Sequence, residues 1–349
     1  MRLFALIKKE FLAIKNDRRS MFVVIVPPLL QILIFAFSVT LEVRNVNLAI
    51  FNQDSSQHSK ELITSLESAK FVKEINMVYS LEEGKKLITN QDVMAFLIIP
   101  KNYALGKESL GIILDGRHSN SAQIINGYIE QSILPNDLVS LRSFYNPNLD
   151  NFWWIVPNLA CSIVMIMAIV LTALSIAREK EIGTFDQILV SPLTPFEVLV
   201  GKLVAPLFIA TFLSIIVTAI SYYLFKIPIV GNLLLLYFGM AVFIFSICSV
   251  GLFISCVSST QQQAILWAFV FLLPSIMLSG FATPIANMPS WLQPVSDFVP
   301  LTYHIKFVKG IFLKDISPVQ SLSYLLPMFA FGVAFFLISL AVFKKSVLK

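Results

Sequence analysis

The chain has 349 residues, of which 56% are hydrophobic and 13% are charged, with a formal net charge of +5. Soluble domains contain about 25% charged residues, so this composition predicts a helical membrane protein and excludes a soluble one. The stretch 227–296 contains no Asp, Glu, Lys or Arg, as expected in lipid, where one charge at the bilayer centre costs roughly 2.5–3.5 kcal/mol. The basic excess lies in short segments beside apolar runs, which indicates a membrane topology and not a nucleic-acid surface.

The amino-terminal segment, residues 1–20, is predicted to form an amphipathic helix in the headgroup region on the cytoplasmic side. Its apolar face consists of Leu3, Phe4, Ile7, Phe11 and Ile14, at helical spacing. The basic residues of the segment lie away from that face. Two roles fit the pattern equally well: a passive membrane anchor, or an anchor that also contacts a cytoplasmic partner.

Residues 21–40 carry no charge and are long enough to form transmembrane helix 1. Residues 41–150 differ in character, because they hold ten Lys or Arg against thirteen Asp or Glu. Strand-like runs alternate there with helix-like runs, which predicts an α/β domain inserted between transmembrane helices 1 and 2. Ser56 and Ser59 are alternative N-caps for the first helix of this domain.

Five further crossings are predicted within residues 151–349, which gives six transmembrane helices. Their apolar runs cover residues 152–177, 203–225, 233–257, 264–281 and 322–343. Basic residues mark the amino terminus, the 178–202 segment and the carboxyl terminus, so the positive-inside rule places all three in the cytoplasm. The 41–150 domain is then extracytoplasmic, in a multi-pass membrane protein with both termini in the cytoplasm.

Residues 282–321, which we call the outer hairpin, are too polar and too rich in proline for a crossing, yet they contain many large apolar side chains. Short helices that re-enter the outer half of the membrane would reconcile these two properties. His304, Lys306 and Lys309 lie in this segment. They either face a substrate path or gate, or reach towards the interface from an apolar surface.

The sequence contains no recognisable catalytic, cofactor or metal site. It lacks a phosphate loop of the GxxxxGK[ST] type, and no cluster of His, Cys and carboxylates has metal-ligand spacing. The predicted crossings also lack internal Asp, Glu or His residues that could relay protons. If the protein pumps a substrate, a separate subunit must supply the energy.

The cytoplasmic segment 178–197, which we call the coupling loop, is predicted to contain a short helix between two breaks. Gly183 is expected to end the preceding helix with a positive φ. Thr184 is expected to cap the short helix, with Gln187 as its capping-box partner. The pattern fits a rigid element that docks a cytoplasmic subunit, or an ordinary charged loop.

Two long motifs resemble those of the ABC type-2 export permeases. The segment that starts at Arg178 resembles the cytoplasmic loop of that family through its E-x-G-T element, and it reads REKEIGTFDQILVSPLTPFEVLVGKL. Residues 277–315 resemble the family's hairpin before the last crossing, through the elements G-F-x-x-P, M-P-x-W-L-Q and P-L-T-Y. This segment reads MLSGFATPIANMPSWLQPVSDFVPLTYHIKFVKGIFLKD. The order of parts also matches, and the resemblance covers essentially the whole chain. Ile182 and Phe185 depart from the Arg or Lys and the Leu that are usual in the family.

The resemblance implies a transmembrane subunit that works with two ATP-binding cassette subunits and a second permease copy, in a homodimer or a heterodimer. ATP and Mg are then expected on the partner subunit, and no cofactor on this chain. By resemblance, the element that meets the ATPase contains Glu179, Glu181, Gly183 and Thr184, to which the capping-box argument adds Gln187. Within the outer hairpin, the gate candidates are Pro284, Trp291, Tyr303 and His304.

The resemblance therefore implies the permease subunit of an ATP-driven exporter in a bacterial cytoplasmic (inner) membrane. The large external domain points to the drug-efflux or multi-component subgroup, and leaves open whether a periplasmic adaptor and an outer-membrane channel take part. An apolar lining of the transport path would favour an amphipathic or hydrophobic substrate. Membrane lipids are expected to surround the transmembrane helices. The alternatives are a membrane-anchored scaffold or sensor whose external domain binds a ligand without transport, and an ion-coupled carrier, which the missing intramembrane charges disfavour.

Overall fold

The protein divides into two compact units in a computed structural model of the chain. One unit comprises Met1–Val39 with Phe144–Lys349, and the other comprises Thr40–Ser143. The structure describes residues 2–16, 26, 30–32, 34, 45–101, 103–105, 109–115, 124–130, 152–281 and 285–347. Most of the predicted first crossing at 21–40, and Pro284 in the outer hairpin, lie outside these residues.

The first element is helix α1, Arg2–Asn16, whose apolar and polar side chains separate onto two faces as the sequence predicts. The second unit follows. Its elements are β1 (Val46–Asn52), α2 (Gln57–Glu67), β2 (Val72–Met77), α3 (Leu81–Thr89), β3 (Ala95–Ile99), a 3-10 turn (Tyr103–Leu105) and β4 (Gly111–Leu114). Residues 124–130 are also helical.

The second unit is built on a four-stranded sheet with the order β2-β1-β3-β4. The strands β2, β1 and β3 are parallel, whereas β4 is antiparallel to β3. The central strand β1 serves two cores, because successive side chains point to opposite faces of a sheet. Leu48 and Ile50 pack with Leu62 of α2 on one face, and Ala49 packs with Phe96 on the other.

The helices of this unit begin at serine N-caps. The Ser56 hydroxyl accepts a hydrogen bond from the backbone N–H of Ser59 at 3.2 Å, so Ser56 and not Ser59 caps α2. The same hydroxyl donates to the Asp54 carboxylate at 2.6 Å, and this hydrogen bond lowers the pKa of Asp54. Ser80 caps α3 in the same way, by accepting from the N–H of Glu83 at 3.1 Å.

The first unit contains long apolar helices. After α1 its helices are α4 (Phe152–Ile182), α5 (Phe185–Leu189), α6 (Pro195–Tyr223), α7 (Leu233–Val257), α8 (Gln261–Leu278), α9 (Gln293–Ser296), α10 (Pro300–Lys309) and α11 (Pro318–Val347). Within the described part of the chain, α4, α6, α7, α8 and α11 are long and apolar enough to cross a membrane. These five helices correspond to the five predicted crossings, and α7 has the predicted bounds.

Helix α6 begins well before its predicted apolar run at residue 203, because a capping box starts it at Pro195. The Thr194 hydroxyl accepts from the N–H of Glu197, and the Glu197 carboxylate accepts from the N–H of Thr194 at 2.8 Å. Helix α4 likewise continues to Ile182. Much of the predicted coupling loop, residues 178–197, is therefore helical, and the chain leaves helical geometry only around α5.

The outer hairpin contains a half-length helix that packs along α7. Helix α10 runs antiparallel to α7: Ile311, just beyond α10, accepts a hydrogen bond from Gly231 N–H at 2.9 Å, Phe307 packs on Gly239, and His304 stacks on Phe243. Its amino terminus therefore lies beside the middle of α7. This is the geometry expected of a re-entrant segment, whose depth in the bilayer stays a prediction.

Two glycines of the second unit provide a matched test of its packing. A Cβ on Gly84 in α3 would overlap the Phe96 ring, whereas a Cβ on Gly127 would meet no atom within 4 Å. We expect Gly84→Ala to destabilise the unit by about 1–3 kcal/mol through overpacking. Gly127→Ala should be neutral or stabilising by about 0.5–1 kcal/mol, because it stiffens a helix.

Hydrogen–deuterium exchange of β3 in the full-length protein measures both effects. Faster exchange should appear only in Gly84→Ala. Equal exchange in the two variants would contradict the packing of α3 on Phe96.

Candidate functional site

The coupling loop is organised around the end of α4. Gly183 has φ +80°, the left-handed conformation that the sequence predicts for it. Its N–H donates to the Lys180 carbonyl at 3.2 Å, and the Thr184 N–H donates to the Glu179 carbonyl at 3.0 Å. These bonds end α4, and α5 begins two residues after Gly183. The predicted break followed by a short helix is thus present.

The predicted capping box of α5 is wrong. Thr184 has φ −89° and ψ −4°, and its hydroxyl makes no capping bond. That hydroxyl lies 3.5 Å from the Glu179 carbonyl, so it faces back towards α4. Gln187 donates its backbone N–H to the Thr184 carbonyl at 3.2 Å, and its side chain is exposed. The capping box of this region belongs to Thr194 and Glu197, where a T-x-x-E signal, in place of the T-x-x-Q at Thr184, precedes a far longer helix.

A cluster of four charges connects three helices at the cytoplasmic ends predicted by the charge pattern. The Lys202 ammonium on α6 lies 2.8 Å from the Glu10 carboxylate on α1 and 2.7 Å from the Glu179 carboxylate on α4. Lys9 of α1 lies 2.8 Å from the other oxygen of Glu179. Lys202 is only 1% exposed, and Glu10 and Glu179 are 7% and 9% exposed. The cluster therefore joins α1, α4 and α6 through two buried ion pairs of Lys202 and one partly exposed ion pair between Lys9 and Glu179.

This cluster corrects one expectation. Lys202 counts in the sequence as one basic residue of a cytoplasmic loop, but it lies inside α6 and is buried. Glu179, which by resemblance belongs to the element that meets the ATPase, pairs with Lys202 and Lys9 within the chain, and its contact with a partner stays a prediction. The capping box at Thr194 is the sequence signal that places Lys202 inside a helix. Nothing in the sequence pairs Lys202 with Glu10, which is 192 positions away.

Glu181 fixes the end of α4 to the start of α8. Its carboxylate accepts from the Gln261 N–H at 2.7 Å, where acidic groups are favoured at a helix N-terminus. Lys180 donates to the carbonyls of Cys256 and Ser258 at the end of α7. The polar turn 258–263 is therefore attached to α4, although its sequence is typical of a plain connection.

Ser255 contributes a contact that the sequence did not indicate. Its hydroxyl oxygen on α7 accepts from the backbone N–H groups of Ile176 at 2.8 Å and Ala177 at 3.0 Å, both in α4. One turn away, Gly251 allows close approach, since a Cβ there would overlap Thr172 of α4. Helices α4 and α7 therefore approach each other closely, within one turn of Glu179 in the charge cluster.

The chain also matches known proteins along most of its length. The profile of the ABC-2 family transporter proteins matches residues 18–341. The chain belongs to the ABC-2 transporter family. It is 38% identical over 334 residues to the probable multidrug ABC transporter permease YbhR of Escherichia coli K12, covering 90% of this chain and 91% of that protein.

Two further relatives from Escherichia coli K12 are similar over nearly their full lengths. The probable multidrug ABC transporter permease YbhS is 27% identical over 365 residues, with 96% of this chain and 94% of that protein covered. The inner membrane transport permease YhhJ is 28% identical over 353 residues, with 91% and 93% covered. With its membrane-spanning helices, this ABC-2 family chain is a multi-pass membrane protein.

A cavity of about 310 Å³ adjoins the charge cluster in this ABC-2 family protein. Lys9 and Glu10 of α1, Arg178 and Glu179 of α4, and Lys202 and Pro206 of α6 form part of its wall. Thr184 and Gln187 also line it, so the cavity brings the coupling-loop residues and α1 to one place. In the described part of the chain, no group of three His, Cys, Asp or Glu could hold a metal ion.

The described gate candidates of the outer hairpin differ in their surroundings. The His304 ring is 1% exposed and stacks on Phe243 with centroids 3.9 Å apart, so it does not line an open path within the described residues. Tyr303 lies beside it, with the Lys306 ammonium 5.9 Å from its ring centroid. Trp291 is 73% exposed, and Pro284 lies outside the described residues. His304 is therefore a packing residue between α10 and α7 in this structure.

Gly183 provides a test of the α4–α5 junction. Gly183→Val should strain the junction by about 1–2 kcal/mol, because a β-branched residue resists positive φ. Gly183→Asn is the matched control, since Asn tolerates this conformation. An added Cβ meets no atom within 4 Å, so any difference between the variants reflects backbone strain and not a clash.

We expect Gly183→Val to insert normally but to lose binding of an ATP-binding subunit in pull-down, whereas Gly183→Asn keeps it. Full binding by Gly183→Val would show that the backbone turn does not set the position of α5.

Proposed function

We propose that this chain is the permease subunit of an ATP-driven exporter, and that a separate ATP-binding subunit docks on α5. The observation that carries the proposal is the α4–Gly183–α5 junction, because a short helix leaves the end of a long apolar helix by a fixed turn. The sequence has no phosphate loop of its own. The names of the relatives, which describe ABC transporter permeases, support the same role.

The residues around α5 offer a surface for such a subunit. Val190 is 85% exposed and Ile182 is 61% exposed, so apolar side chains flank α5 at both ends. Thr184 and Gln187 add polar groups between them, and Gly183 fixes the angle of α5. Glu181 contributes through Gln261, since it holds α8 to the same end of α4. ATP and Mg would be bound by the partner subunit.

Movement of α5 would reach several helices. Glu179 and Lys180 attach the end of α4 to α6, α1 and α7. ATP-driven closure of the partner subunits would thus shift helices at the contact between two permease copies and open a path outward. The positive-inside pattern supports cytoplasmic termini, and the apolar helices support an amphipathic or hydrophobic substrate, in line with the multidrug names of two relatives.

Co-purification tests the energy supply. The purified chain alone should hydrolyse no ATP, and the chain isolated from its native membrane should bring an ATP-binding subunit with it, identified by mass spectrometry. The complex should hydrolyse ATP in a manner that depends on the permease. Hydrolysis by the chain alone would overturn the proposal. A chain that binds a ligand but never an ATPase would favour the scaffold or sensor function.

Cysteine labelling tests the orientation. Ser109→Cys, in an exposed part of the second unit, should react with a membrane-impermeant maleimide in spheroplasts. Val190→Cys should react only after the membrane is permeabilised. The native cysteines Cys161, Cys248 and Cys256 are buried and give a low background. Labelling of Val190→Cys in intact spheroplasts would reverse the topology.

A further inference from the structure

We propose that Lys202 is a positioning residue that fastens α1 to the cytoplasmic ends of α4 and α6, so that the three helices move as one body when α5 is pushed. The consequence for transport rests on the proposed function. The cluster of Lys9, Glu10, Glu179 and Lys202, which we call the joint, does not rest on it, because its contacts lie within this chain. It also assigns α1 a contact within the chain, whereas the contact with a cytoplasmic partner that the sequence allowed stays a prediction.

The charges of the joint balance one another. Lys202 places one ammonium between two carboxylates from different helices, and Lys9 pairs with the outer oxygen of Glu179. Arg178 lines the adjoining cavity. A buried ammonium needs such partners, and removal of one partner from a buried pair leaves an uncompensated charge. Separation of α1 from α6 would take the Glu10 carboxylate away from Lys202 and leave Lys202 with Glu179 alone, so the ion pair opposes that motion.

Apolar side chains also pack α1 against α6, on either side of the ion pairs along the helices. Leu6 of α1 packs on Gly201, where a larger residue would overlap it. Phe11 of α1 meets Phe208 of α6 edge to face, with centroids 5.6 Å apart. Leu6 is 6% exposed. A passive interfacial helix would direct its apolar side chains into lipid, whereas α1 directs Leu6 and its one acidic residue, Glu10, onto α6.

The close approach of Leu6 and Gly201 allows the joint to be locked chemically. The Leu6 Cβ lies 3.5 Å from the position of a Cβ on Gly201, within the separation that a disulfide requires. Leu6→Cys with Gly201→Cys should therefore cross-link α1 to α6 on mild oxidation of membranes. The size-matched control is Leu6→Ser with Gly201→Ser, which has the same shape and cannot cross-link.

The decisive experiment combines this lock with Lys202→Met. In the cysteine pair, Lys202→Met should slow disulfide formation at least about tenfold, because two buried carboxylates lose their shared partner. It should also abolish permease-dependent ATP hydrolysis by the co-purified complex. Oxidation should restore hydrolysis in this variant, since the disulfide replaces the lost connection. Lys202→Arg should retain most of both properties. Lys8→Met, which removes a charge from an exposed position on α1, should change neither.

Oxidation of the cysteine pair with Lys202 intact should leave hydrolysis unchanged. Loss of hydrolysis on oxidation would overturn the proposal, because it would show that α1 and α6 must separate during the cycle. Wild-type cross-linking in Lys202→Met would overturn it as well. If the wild-type chain recruits no ATPase, the proposed function fails, and the cross-linking rates still decide whether Lys202 holds the joint.

Discussion

The burial of the Lys202 ammonium is the constraint on which the α5 end of the membrane unit depends. An unpaired charge in that position would be costly, so the fold must bring carboxylates to it from elsewhere. Glu10 and Glu179 meet this need from two other helices. Lys202 of α6 thereby pairs with α1 and with the last turns of α4, beside the segment on which an ATP-binding subunit would act.

Polar groups make most of the remaining connections at this end. Ser255 bonds to the backbone of α4, Lys180 to the last carbonyls of α7, and Glu181 to the start of α8. Helices in lipid gain little from apolar burial against one another, so hydrogen bonds and close packing decide which helices pair. The result is a set of helices tied together near α5, through which a movement of α5 can pass to several of them.

Close approach governs the opposite end. Gly239 admits the Phe307 ring against α7, and His304 stacks on Phe243 one turn away. The half-length helix α10 is thereby fixed along half of α7. Just beyond the carboxyl end of α10, the Ile311 carbonyl accepts a hydrogen bond from the Gly231 N–H, which precedes α7. These contacts hold α10 against α7, as a re-entrant outer hairpin would require.

The sequence by itself determined the class of protein, the five long apolar helices of the described residues, the alternating strands and helices of the second unit, the break at Gly183 and the family. Each follows from local properties: apolar length, charge, or the φ that one residue allows. Only the tertiary structure decided the rest. The capping signals at Thr184 and Thr194 look alike in sequence. In the structure only Thr194, which precedes the long packed helix α6, forms the capping box. Likewise, the sequence does not reveal the ion pairs of Glu179 or the burial of His304, because both depend on distant residues such as Lys202 and Phe243.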